Sequence, residues 1–525
     1  MPMDNPSNLK NLLLQVSRPV FAVQNNGSMH FTDKAPELLS EVMAFVPAIT
    51  PSTLGDKSFR KRHGIRFPYI AGAMANGICS SAMVETMAEH SMMGFFGAGG
   101  LSIEDIQKNI VYLKGRLGDR PFGFNLIHSP FDSAHEMAVA ELYLKHGITR
   151  ISAAAFMQMT PALVLYRVKG IHEDSKGRII TPNHVIAKVS RIEVARQFFS
   201  PPPEKIIKLL VEKKLITTEE ARLSQHIPMA WDLTAEADSG GHTDNRPALA
   251  LLPTMLALKN EFMEKYRYDE PICIGLAGGI ATPEAAAAAF EMGAAYILTG
   301  SVNQSCVEAG ICNEVKTLLC QAQQADVAMA PAADMFEIGA KVQVLKRGTM
   351  FALRAAKLYN LYKSHTCFEE IDPGTRQEIE NKILRAGFEQ AWESTKQFFL
   401  ATGQQREVHK AQNDPKHKMA LVFRSYLGLS SKWAIQGIKD RKMDYQIWCG
   451  PSMGAFNQWA KSSFLEAPEN RRTAEIALNL LLGACFHMRA AILKAQGIEP
   501  DAGEHFFRPM KKNAIYEYMS QSPAM

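Results

Sequence analysis

From Phe67 onward, short and nearly continuous apolar runs alternate with amphipathic segments: FPYIAG, MGFFGA, PFGFNL, ITRIS, HVIAKV, MAWDLTAE, PICIGLA and AYILT. Runs of this length, β-branched or aromatic, are what strands buried on both faces look like. The segments between them, such as SAMVETMAEHS, SIEDIQKNIVYLKGRLG, SAHEMAVAELYLKHG and TPEAAAAAFEMG, carry helix-start residues, 3.6-period apolar positions and a small terminal residue. Eight strands alternating with helices predict an α/β fold, a (β/α)8 TIM barrel ending near Glu308.

Two connections exceed what a plain repeat needs. VKGIHEDSKGRIITPN, about 168–183, has a polar centre between β-type residues and predicts a hairpin before the fifth strand. FFSPPPEKIIKLLVEKKLITTEEARLSQHIP, about 198–228, opens on a Pro run and continues as two short amphipathic helices. Insertions that follow barrel strands lie on the catalytic face, so this pair is expected there as a lid or partner surface. Residues 1–60 read as an N-terminal extension with one helical stretch near Ala35 to Phe45, and 61–328 as the barrel. The remaining 329–525 read as a mainly helical domain, because KVQVLKRGTMFALRAAKLYNLYK, GTRQEIENKILRAGFEQAWESTKQFFLA and TAEIALNLLLGACFHMRAAILKAQG show helical apolar spacing.

Bulk properties narrow the class. A chain of 525 residues is longer than one barrel of roughly 250, in keeping with the second domain. No apolar run nears the roughly 20 residues of a spanning helix and no export signal is visible, so no membrane span is expected. Eight cysteines without CxxC pairing predict reduced thiols and a cytoplasmic setting. A net charge of +5 with no basic, aromatic-interleaved strand gives no case for nucleic acid. The charge is uneven, however: from Lys341 to Ile447 there are 19 Lys and Arg against 11 Asp and Glu, a local balance of +8.

Candidate chemistry gathers at strand ends. After strands seven and eight, Ala277, Gly278, Gly279 and Ile280, then Thr299, Gly300 and Ser301, form two Gly-rich turns whose backbone N–H groups suit one phosphate. Such a cradle does not choose among phosphosugars, nucleotides and flavin mononucleotide. After strand one, IAGAMANG places the small Gly72, Ala73 and Ala75 beside Met74, letting a flat ring lie against the backbone. Asn125, ending strand three, offers a donor and an acceptor to a pyrimidine-like edge. WDLTAEADSGGHTDN ends strand six on Asp238, Gly240, Gly241 and His242, which makes His242 the candidate general acid or base. His128 and His135 read as structural. The series Asp232, Glu236 and Asp238 lacks a second cluster at ligand spacing, so no metal site is expected.

The order AGAMANG, PFGFN, KVS, EADSGGH, GLAGGI, TGS resembles the FMN-dependent barrels of nitronate monooxygenases and flavin enoyl-acyl-carrier-protein reductases over roughly Phe67 to Gly310. The usual EAGGH of those barrels is DSGGH here, with Asp238 and Ser239 at its first two positions. GSMHFTDKAP, MFEIGAKVQVLKRGTMFALRAAKLY and YQIWCGPSMGAFNQW extend the resemblance over nearly the whole chain to the PfaD family, trans-acting enoyl reductases of polyunsaturated fatty acid and polyketide synthases.

That resemblance implies FMN held by Ala73, Met74, Asn125, Lys188, Gly240, Gly241 and the two phosphate turns, with NADPH as hydride donor. Lys188, ending strand five in IAKVS, would set a cation near the flavin N1/C2 carbonyl. The implied substrate is a trans-2-enoyl thioester on an acyl carrier protein, with His242 acting on the α-carbon or the carbonyl. The basic C-terminal helices, including Lys416 and Lys418, are the expected docking face for the acidic carrier; a homodimer is left open. The rival activities are nitronate oxidation with oxygen, a flavin-free phosphosugar or nucleotide enzyme, and a non-catalytic scaffold.

Overall fold

The computed structural model describes residues 6–25, 27–37, 39–129, 132–498 and 506–520. They form two compact units: Met1–Asp238, Asn245–Gly310 and Gln458–Met525 in the first, Ser239–Asp244 and Ile311–Asn457 in the second.

The first unit is built on a closed parallel barrel of β1 (Tyr69–Ala71), β2 (Met93–Phe96), β3 (Gly123–Ile127), β4 (Arg150–Ala154), β5 (His184–Val189), β6 (Asp232–Glu236), β7 (Cys273–Ala277) and β8 (Ile297–Thr299). All eight apolar runs became strands, because each is buried on both faces, inside against Ile70, Phe95, Ile186 and Tyr296 and outside against helices. Those helices are α1 (Ser81–Glu89), α2 (Ile103–Leu117), α3 (Ser133–Lys145), α4 (Pro161–Val168), α5 (Ile192–Phe199), α6 (Ala248–Tyr266) and α7 (Pro283–Glu291). Ser80, Ser102, Asp132, Thr160 and Thr282 cap five of them through side-chain oxygens that accept backbone N–H groups, each worth roughly 1 kcal/mol.

The eighth helix, α8 (Thr473–Ala495), arrives only near the end of the chain and packs on α7 and α1. The expected single domain over 329–525 is therefore divided, with residues from Gln458 onward completing the barrel. A Cβ on Gly483 would lie 2.6 Å from Pro283, so glycine is what allows α8 to approach α7. By length and composition alone α8 could cross a membrane, but it is interrupted by charged residues and mostly buried within the fold. Its buried Arg489 donates to the carbonyls of Leu12, Val16, Arg18 and Pro47, tying the N-terminal segment to the last barrel helix.

That N-terminal segment differs from expectation. The stretch read as helical near Ala35 to Phe45 contains the strand Val42–Val46, which pairs antiparallel with Val20–Asn25, itself paired with Ser28–Thr32. Its exposure alternates along the strand, the period-2 pattern of a half-buried sheet.

Both long insertions sit on helix-to-strand connections. The hairpin His172–Glu173 with Ile179–Ile180 follows α4, and the helices Glu204–Glu212 and Thr218–Ser224 follow α5. They lie at the N-terminal rim of the barrel, not on the catalytic face, because each follows a barrel helix and leads into the next strand. The buried Arg167 joins them, donating to Asn183 O at 2.7 Å and Pro228 O at 3.1 Å. At the same rim, fully buried Asp232 accepts from Arg62 at 2.6 Å and bonds His63 Nε2 at 3.0 Å.

In the second unit, the expected helix beginning KVQVL starts instead as a strand, Lys341–Leu345, before the helix Phe351–Ser364. Four of its five residues are buried between two strand partners, Val327–Pro331 and Gly241–His242. Helices Phe388–Ala401 and Pro415–Gln436 pack with it around Phe336, Phe351, Phe368, Trp392 and Phe423.

Candidate functional site

The barrel's C-terminal rim begins at the turn after β1. Asn76 and Gly77 take φ of 57° and 73°, and Gly97 permits the Met74 carbonyl to come so close that a Cβ would lie 1.7 Å from it. Ala73 and Met74 are half-buried on this turn. Asn125 is buried, and its Oδ1 accepts from the amides of Ala98 at 2.6 Å and Gly99 at 3.3 Å. The acceptor expected for a ligand is thus used within the fold, which leaves the Nδ2 donor.

The phosphate turns separate into supporting and open positions. Gly278, at φ +83°, has no room for a side chain: a Cβ would lie 2.6 Å from the Ala237 carbonyl carbon. Gly279, at φ +78°, and Gly300 face open space, with nothing within 4 Å of where a Cβ would stand. Thr299 is buried and its hydroxyl bonds Tyr69, so its side chain supports the barrel interior. Ser301 opens the short helix Ser301–Gln304, while Ala277 and Ile280 are buried beside the turn. Two glycines that keep the backbone bare at the ends of β7 and β8 fit a phosphate monoester such as that of FMN.

Charge at the rim is paired. Lys188 Nζ lies 2.8 Å from Glu236 Oε1, an ion pair between adjacent strands with both side chains largely covered. The three carboxylates of the DLTAEAD stretch serve different partners: Asp232 holds Arg62 and His63, Glu236 holds Lys188, and Asp238 accepts from Asn245 Nδ2 at 2.8 Å.

His242 belongs to the second unit. The strand Gly241–His242 pairs antiparallel with Lys341–Leu345, and Gln343 Nε2 donates to Ser239 O at 2.9 Å. His242 Nε2 lies 3.0 Å from Asp334 Oδ1, and its side chain is 46% exposed. Desolvation raises the Asp334 carboxyl, but the hydrogen bond and charge of His242 together with backbone amides at Asp334 and Met335 outweigh it and hold it below the usual range. A Cβ on Gly240 would lie 2.8 Å from Cys449 N, and Gly241 takes φ +82°. The two glycines thus let the loop cross the Trp448–Gly450 backbone.

Residues 365–445 match the family model of the inserted helical domain of [acyl-carrier-protein] S-malonyltransferase. Over 496 residues the chain is 40% identical to a component of the polyunsaturated fatty acid synthase of Thraustochytrium sp., covering 93% of this chain and 33% of that protein. With the polyketide biosynthesis protein PksE of Bacillus subtilis it shares 45% identity over 434 residues, 82% of this chain and 56% of that one. The chain thus spans only part of the length of these two relatives. The enoyl reductase domain of MlnA, from the macrolactin cluster of Bacillus amyloliquefaciens, matches with a TM-score of 0.79 at 39% identity, over 82% of this chain and 97% of that chain. The chain belongs to the PfaD-like family of trans-acting enoyl reductases.

In this PfaD-like chain, sequence reasoning missed the Lys188–Glu236 pair, although both residues stand near the ends of neighbouring runs, HVIAKV and DLTAE. It also passed over His128. His128 Nδ1 lies 3.0 Å from Glu136 Oε2 on α3, and the imidazole stacks on Phe156 at 5.3 Å between centroids. The spacing of eight residues across a strand-to-helix turn was the signal available. His135 instead lends its backbone N–H to the Asp132 cap.

Proposed function

We propose that this chain is an FMN-dependent enoyl reductase that draws hydride from NADPH and saturates trans-2-enoyl thioesters on an acyl carrier protein for a cytoplasmic fatty acid or polyketide synthase. The observation that carries the reading is the bare backbone at Gly279 and Gly300 after β7 and β8, in a chain of the enoyl reductase family. When bound, FMN supplies the hydride that adds to the β-carbon of the enoyl group.

The chain's own residues bind and move protons. Gly279 and Gly300 would present their amides to the phosphate, with Gly278 fixing the turn and Ser301 beside it. Ala73 and Met74 would bound the ring, Asn125 Nδ2 would donate to its pyrimidine edge, and Lys188, steadied by Glu236, would offer positive charge there. His242, whose Nε2 is held by Asp334 at 3.0 Å, is the residue that would give a proton to the α-carbon, acting from its imidazolium form and left as the neutral ring.

The carrier protein is assigned to the basic face of the second unit. Lys418 does not serve as a free cation there, since it lies 2.7 Å from Glu389 and over Phe388 and Trp392. Lys416 stands over Tyr362 at 5.1 Å. Purified protein should carry FMN and turn over NADPH when an enoyl thioester is supplied, with a carrier-bound substrate showing the lower KM. Turnover of alkyl nitronates without NADPH would replace this reading with the monooxygenase, and a protein that binds no flavin would remove both.

A further inference from the structure

We propose that His128 is a second catalytic group of the barrel mouth, its Nε2 donating a hydrogen bond to the thioester oxygen of the substrate. The inference rests on the enoyl reductase reading above. His128 directly follows β3 and extends its ladder, its N–H bonding Ala154 O at 3.1 Å, so it stands at the C-terminal rim where barrel enzymes place their chemistry.

Its setting is that of an oriented acid rather than a surface histidine. Glu136 is only 3% exposed, yet it is a carboxylate on the first turn of α3 with three donors converging on it. His128 Nδ1 and the Ser129 N–H, at 2.9 Å, meet Oε2, while the Thr160 hydroxyl meets Oε1. With Nδ1–H on a buried carboxylate, Nε2 faces outward and is an N–H donor in the imidazolium form of the ring, the form that makes an ion pair with Glu136, and Phe156 holds the ring plane. Nε2 has no partner among the described residues, and the side chain retains 12% exposure.

As hydride reaches the β-carbon, the alkene π pair shifts toward the α-carbon and the carbonyl oxygen gains negative charge. A donor at that oxygen acts only as this charge develops, which is where hydrogen bonds contribute most to rate. His128 gives up no proton in the step, so the proton balance stays with the donor to the α-carbon.

The test uses the full-length, FMN-loaded protein with His128→Gln and Glu136→Gln. Both should retain flavin content and the rate of flavin reduction by NADPH, while kcat for a crotonyl thioester falls about 10²-fold for His128→Gln, with KM little changed. By NMR, the His128 imidazole resonance of wild type should shift when the saturated butyryl thioester, which cannot react, is added. Wild-type reduction of the thioester with an unaffected His128→Gln, equal slowing of both half-reactions, or an unmoved resonance would overturn the proposal alone. Failure of wild type to reduce any enoyl thioester would overturn the parent reading, and this one with it.

Discussion

Replacing Gly300 by alanine separates ligand binding from folding more cleanly than any other change at the rim. Gly300 has φ −125°, outside the left-handed region, and a Cβ there would meet no heavy atom within 4 Å. The fold should therefore lose no more than about 0.5 kcal/mol, the range of substitutions away from packed features. A phosphate in the cradle would feel the new methyl directly. Losing one charge-assisted hydrogen bond costs about 1.5–3 kcal/mol, which weakens Kd for FMN by roughly 10- to 150-fold. The assay is flavin fluorescence titrated into apoprotein, with FMN and with riboflavin, which lacks the phosphate. FMN affinity should fall and riboflavin affinity hold. Gly278→Ala supplies the contrast: its Cβ would meet the Ala237 carbonyl carbon at 2.6 Å with φ +83°, so thermal stability should drop along with FMN binding. Unchanged FMN affinity in Gly300→Ala, or an equal loss for riboflavin, would refute the phosphate assignment.

His242→Ala should slow the enoyl half-reaction about 10²–10⁴-fold and leave flavin reduction by NADPH intact, as stopped-flow traces will show; equal losses would make it a positioning residue. Burial lowers the imidazole pKa of both His63 and His184, against the pull of Asp232. Their contribution to stability is whole above about pH 6.5 and is lost as pH falls below it toward the folded values, by up to about 1.4 kcal/mol per pH unit for each. Urea unfolding at pH 7.5 and 5.5 should thus show a shallower decline for His184→Phe than for wild type. Lys416→Glu should raise KM for a carrier-bound substrate, increasingly so at low salt, and leave a free thioester analogue unaffected; a change in both would move docking elsewhere.

The barrel was legible because each strand is covered on both faces, so FPYIAG or PICIGLA had to be apolar throughout. KVQVL was not, since its strand is made by partners at Gly241–His242 and Val327–Pro331, distant in sequence, and periodicity reports only local spacing. The insertion helices were placed on the wrong rim because α5 runs straight into SPPP, and the sequence does not mark which helix packs on the barrel. At the site, Gly-rich turns announced themselves through backbone requirements. The engagement of Asn125 Oδ1 by Ala98 and Gly99, and of His128 by Glu136, depends on side chains meeting across elements.

The late arrival of α8 has a consequence for synthesis. When β8 leaves the ribosome, the barrel has eight strands but only seven of its helices, and the flanks of α7 and α1 that α8 will cover face water. The whole of Ile311–Asn457 must be made before Thr473–Ala495 can fill that gap. The nascent chain thus carries an unsealed apolar seam through a long stretch of translation, a species prone to aggregate and in need of chaperones. A gene cut after the eighth strand would freeze the chain in that state.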